Sequence, residues 1–189
     1  MKNNKVIYII IAALVLIVIG GGLFFFFSNK GPQKEAQGQR PGEFSNGQRY
    51  ATFKTDDFEV KYPNWPNIDR SKIAEADKYK VAVANEGCNF VIKVASVPQN
   101  ISFREYEENL LQEQMKQFPV KILIKDIKDN TAYFEGEVSM GNTIVKNVSY
   151  SYFTSKRQSV GFAFIAQNDQ FDRVCRPIID EVVRSVKVK

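Results

Sequence analysis

The stretch TAYFEGEVSM-GN-TIVKNVSYSYFT, residues 131–154, decides the fold. Successive side chains of a strand point to opposite faces, so a period of two marks a strand with one face buried. Along 131–140 this places Ala132, Phe134, Gly136, Val138 and Met140 on one side. Tyr133, Glu135, Glu137 and Ser139 fall on the other. Gly141-Asn142 is a tight turn of the kind that joins antiparallel strands. The return strand alternates Ile144, Val148, Tyr150 and Tyr152 against Val145, Asn147, Ser149, Ser151 and Phe153.

The same pattern extends outward. Residues 120–127 read as a strand before this hairpin, and Val160, Phe162 and Phe164 as one after the turn at 155–158. Consecutive strands with short connections predict an antiparallel meander. Upstream, Tyr79, Val81 and Val83 lead through Asn85-Glu86-Gly87 into a second strand over 88–97, another hairpin. Tyr50 to Lys54 and Phe58 to Tyr62 are short strands split by Asp56-Asp57, and the polar residues 67–78 read as loop.

Two helices complete the pattern. Ser102-Phe103-Arg104-Glu105 is a capping box, in which Ser accepts from an amide and Glu reaches back. The helix it opens runs to about Phe118, with Phe103, Tyr106, Leu110, Leu111, Met115 and Phe118 as its apolar stripe. Its acidic residues Glu105, Glu107, Glu108 and Glu113 have no metal-loop spacing and are expected to form a solvated face. From Asp169 to Val186, Phe171, Val174, Cys175, Ile178, Ile179, Val182, Val183 and Val186 repeat at three and four. Pro177 lies inside this run. Its missing N–H predicts a bend in one helix, the alternative being a helix that starts near Pro177. The fold class is thus α+β: an antiparallel sheet of about six or seven strands sandwiched by helices.

A different signal precedes the domain. From Val6 to Phe27 the chain reads VIYIIIAALVLIVIGGGLFFFF without a charge. As a helix this run is roughly 30 Å long, the thickness of a bilayer's hydrocarbon core. A cleaved signal would need a shorter core of about 7–15 residues and a small-x-small site. The reading is therefore one uncleaved transmembrane helix within residues 1–27, then a Gly-, Gln- and Pro-rich flexible linker over 28–49, then a domain over 50–189. The short tail with Lys2 and Lys5 predicts a cytoplasmic N-terminus and an extracytoplasmic domain at the cell membrane.

Composition narrows the function. Residues 1–50 carry six Lys/Arg and two Asp/Glu, whereas residues 51–189 carry 20 and 19. The net charge of +5 thus belongs mostly to the membrane flanks, and no basic block in the domain could track a nucleic-acid backbone. The chain has no histidine, which removes the commonest metal ligand and general base. No phosphate loop, dinucleotide fingerprint or calcium loop occurs, so no catalytic residue, cofactor or metal is expected. Cys88 and Cys175 either form one disulfide or fill the core as two thiols.

The order of elements, with two short sequences, resembles a known family. Phe58-Glu59-Val60-Lys61-Tyr62-Pro63 followed by Trp65 resembles the early strand and turn of PsbP-like domains. The run from Phe171 through Pro177-Ile178-Ile179 to Val186 is similar to their closing helix. The resemblance implies an α/β/α sandwich that acts as an accessory or assembly factor docked to a membrane complex. The shared residues are structural, and no functional residue is carried over.

Trp65, Tyr133, Tyr150, Tyr152 and Phe153 remain as the aromatic residues of interest. If helices cover both sheet faces they are core; if one face is bare they form the best docking patch for a membrane or envelope protein. The competing expectation is a domain holding a small apolar molecule between the sheet and helix 103–118, which needs a pocket of about 300 Å³ or more.

Overall fold

The computed structural model describes residues 49–69, 79–85 and 87–189. The membrane run from Val6 to Phe27, the linker and most of loop 67–78 lie outside the described residues. Among those described, no helix is long and apolar enough to cross a membrane.

Among the described residues, nine strands and three helices follow in chain order: β1 (Tyr50–Lys54), β2 (Phe58–Pro63), β3 (Tyr79–Asn85), β4 (Cys88–Ser96), α1 (Phe103–Gln117), β5 (Val120–Ile127), β6 (Thr131–Met140), β7 (Thr143–Phe153), β8 (Gln158–Gln167), α2 (Asn168–Val174), α3 (Arg176–Arg184) and β9 (Lys187–Val188). The fold is α+β. The expected meander is present as β5 to β8, each strand antiparallel to the next. Gly141 takes φ 62° in the hairpin turn, a left-handed conformation suited to glycine.

The expectation of one sheet is corrected. A six-stranded sheet has the order β3-β4-β8-β7-β6-β5, and a separate three-stranded sheet has the order β1-β2-β9. The reason lies at the far end of the domain, where Lys187 and Val188 leave α3 and pair with Glu59 and Phe58. Asp57, itself buried, fixes the small sheet to the β7–β8 turn by accepting from Ser155 Oγ and the Lys156 amide, both at 3.2 Å.

The six-stranded sheet has two distinct faces. The tyrosine face carries Phe90, Val148, Tyr150, Tyr152, Phe162 and Phe164 and packs against the small sheet, α2 and α3. The serine face carries Ser149, Ser151, Ser159 and Gly161, with α1 packed over its β5–β6 side. Ser102 caps α1 by accepting from the Glu105 amide at 3.1 Å.

The single bent closing helix is also corrected. The chain forms two helices that meet at Cys175, and Pro177 sits in the first turn of α3. There its missing N–H has no intrahelical partner to lose. Asp169 lies in the first turn of α2 and is not its cap, a position held by Gln167 without a side-chain bond. Cys88 and Cys175 form a disulfide with Cα atoms 5.6 Å apart, joining the start of β4 to the α2–α3 junction.

Candidate functional site

On the tyrosine face, antiparallel register sets Tyr133 opposite Tyr150, with ring centroids 4.9 Å apart. Tyr150 stacks on buried Phe162 at 5.5 Å, and Tyr152 packs between Phe162 and Phe58. The three tyrosines are half-buried: one part of each ring belongs to the core, the rest reaches the surface.

The other two expected patch residues lie elsewhere. Trp65 is 7% exposed and lies within the core, so it presents little surface to a partner. Phe153 is odd-numbered on β7 and so points to the serine face, where it stacks on Phe103 at 5.4 Å. Arg157, in the turn between β7 and β8, is half-buried over the Phe153 ring. Its Nη2 donates to the Pro98 and Ile101 carbonyls, at 2.6 and 2.9 Å.

Beside the tyrosines stands an ionic cluster that the sequence did not single out. Glu135 is buried next to Tyr133, whose hydroxyl donates to Oε2 at 2.6 Å. Its Oε1 accepts from Lys146 Nζ at 2.8 Å and Arg176 Nη2 at 3.0 Å. Both cations also lie over the Phe171 ring, at 5.4 and 5.3 Å. Burial opposes ionisation of Glu135, but the bonds from Lys146, Tyr133 and Arg176 outweigh it and hold its pKa down to about 2. Burial and the Glu135 bond push the Tyr133 hydroxyl up. Burial pushes Tyr152 up to about 12.

The serine face holds a second buried carboxylate. Glu107 was expected on a solvated helix face, and this is corrected: it is 4% exposed and faces the sheet. The spacing carried the signal. Phe103, Glu107 and Leu111 recur every fourth residue, and these three are the buried residues of α1. The strands beneath supply small polar residues, and Ser159 Oγ donates to Glu107 Oε1 at 2.7 Å. Burial pushes the Glu107 carboxyl up, while the Ser159 and Ser151 hydroxyls and the Lys93 charge pull the other way.

A cleft of about 70 Å³ opens here. Tyr106, Glu107 and Leu110 wall it from the helix, and Ser151, Ser159 and Gly161 form part of its floor. A site for a drug-sized ligand spans about 300–1,000 Å³, so this cleft fits at most a small fragment. Among the described residues, no cluster of acidic, Cys or His side chains has the grouping needed to hold a metal ion.

No family model and no curated protein matches the chain. Among solved structures, the solution structure of cyanobacterial PsbP (CyanoP) from Synechocystis sp. PCC 6803 is similar, with a TM-score of 0.55 and 14% identity over 84% of this chain and 100% of that one. A crystal structure of PA94 from Pseudomonas aeruginosa, described as a protein of unknown function and putative regulator, aligns at TM-score 0.49 and 11% identity, covering 73% of this chain and 96% of that one. The first likeness shows a PsbP-like fold and nothing beyond the fold.

Proposed function

We propose that this chain is a membrane-tethered accessory domain that docks a membrane or envelope protein through its tyrosine face. The observation that carries this reading is the partly uncovered flank of that face. Tyr133 and Tyr150 are half-buried there, and Ile124 and Ile144 on the same face are 48% and 45% exposed. Tyrosines anchored in a core present rigid amphipathic surface at low entropic cost, a property of docking hot spots. The apolar run from Val6 to Phe27 supplies the tether and the short basic tail the orientation, with the domain outside. The PsbP-like fold fits an accessory role. A binding role, not a catalytic one, suits a chain without histidine.

The small-ligand reading is second, and the cleft beside Glu107 limits it to a compact molecule. Photo-crosslinking in intact cells separates the two. A crosslinker replacing Ile144 should capture an envelope protein, and one replacing Gln112 on the outer side of α1 should not. Equal capture from both positions, or none from Ile144, would overturn the docking face. Protease added outside intact cells should release the domain; protection until lysis would overturn the orientation.

A further inference from the structure

β5 is an edge strand: β6 pairs with one side, and no described strand pairs with the other. Edge strands are usually blunted by lysines or a bulge, because an open edge is a template for another chain. β5 has Lys121, Lys125 and an irregularity at Leu123, where Ile122 pairs with Gly136 and Ile124 with the adjacent Glu135. It nevertheless leaves Leu123 39% and Ile124 48% exposed.

The bulge changes which residues share a face. In an unbroken strand, residues five apart point to opposite sides. Here Lys121 lies opposite Glu137 and Asp126 opposite Tyr133, two residues of the tyrosine face. Lys121, Ile124 and Asp126 therefore stand on one face. Ile122 and Lys125, opposite Gly136 and Phe134, stand on the other.

We propose that β5 pairs antiparallel with β5 of a second copy of this chain, about a two-fold axis between Leu123 and Ile124. In this register Lys121 of each copy faces Asp126 of the other, and Leu123 faces Ile124. Val120 faces Ile127 and Ile122 faces Lys125, each pair on one face. The register centred on Leu123 instead sets Lys121 against Lys125 and mixes the faces, which like-charge repulsion disfavours. The groups are available: Lys121 is 72% exposed and 3.6 Å from Glu137, and Asp126 is 55% exposed and 3.3 Å from Lys128. Such surface pairs are weak and exchange partners readily. The symmetry is isologous, so one strand supplies both halves of the seam. Pairing joins the two six-stranded sheets into one and sets two copies of the tyrosine face side by side. It holds whether or not that face docks another protein.

Sedimentation equilibrium of the full chain in detergent, from about 1 to about 100 µM, tests the seam. A reversible dimer is expected. Lys121→Glu and Asp126→Lys should each weaken it about 10-fold or more, since each reversal places two like-charged pairs across the seam. The double variant K121E/D126K restores opposite charges and should return the dimer to within about 3-fold of the original. A chain that stays monomeric, a dimer indifferent to all three variants, or single losses without rescue would each overturn the proposal.

Discussion

Glu135 and Glu107 lie on opposite faces of one sheet, 7% and 4% exposed, and their carboxyls shift in opposite directions. Glu135 meets a lysine, an arginine and a phenol. Glu107 accepts from serine hydroxyls, and Lys93 acts on it as the smallest of the opposing influences. Little of either side chain reaches solvent, but Glu107 lies deeper and carries the heavier burial cost, whereas Glu135 has cations within hydrogen-bonding reach; depth and partners together set the sign. The faces differ in the same sense elsewhere. The tyrosine face is stapled by a disulfide and filled with phenyl rings. The serine face meets α1 across small side chains and a cleft, with Gln114 Nε2 and Asn147 Oδ1 buried and unpaired.

The contrast can be broken experimentally, beginning with the staple. The disulfide spans 87 residues, so replacing both cysteines by alanine should cost about 4 kcal/mol in chemical denaturation. Hydrogen exchange should then show α2 and α3 opening before α1. Equal loss of protection on both faces would erase the distinction.

Glu135→Ala comes next, at about 3 kcal/mol at neutral pH, because it strands Lys146 at 12% exposure. Adding Lys146→Met should recover much of that loss; a double variant no better than the single one would mean packing, not charge, dominates the cluster.

Ser102→Ala should cost about 1 kcal/mol by thermal unfolding, the usual worth of an N-cap, and should loosen the start of α1 alone.

The pH dependence of the two carboxyls sharpens the comparison most. Glu135 has a pKa lowered from 4.5, so its contribution is full above pH 4.5 and is lost as pH falls through about 2. Glu107 has a pKa raised above 4.5, so its proton favours the fold below pH 4.5 and that advantage is lost as pH rises. Glu107→Gln should therefore raise the melting temperature at pH 7 and lose that advantage below pH 4.5. Glu135→Gln should lower it at pH 7 and flatten the acid limb. Melting curves of both variants from pH 2 to 8 would show opposite slopes, and parallel curves would remove the electrostatic distinction.

Much of this architecture was legible in local patterns. The meander followed from alternation, since a strand half-covered by core must alternate, and the capped helix followed from Ser102 and its stripe. What escaped was non-local. Glu107 looked solvated because its partner hydroxyl on Ser159 lies 52 residues away. The Tyr133–Glu135–Lys146–Arg176 cluster joins three elements, β6, β7 and α3, that share no motif. The closing amphipathic run kept its period through Cys175, and only Pro177 hinted at the break. The sequence left Trp65 between core and docking patch, and tertiary packing places it in the core. Two residues of strand at 187–188 are too short to carry any period at all.

That short strand bears on the order in which the chain can be completed. The Lys61 amide donates to Ser185 Oγ across 124 residues, and Lys187 Nζ donates to Glu59 across 128. A ribosome adds about 5–20 residues per second, so the β1–β2 hairpin waits roughly 6 to 25 s for these partners. Throughout that interval Phe58 and Val60 lack the part of their covering that the last residues of the chain supply.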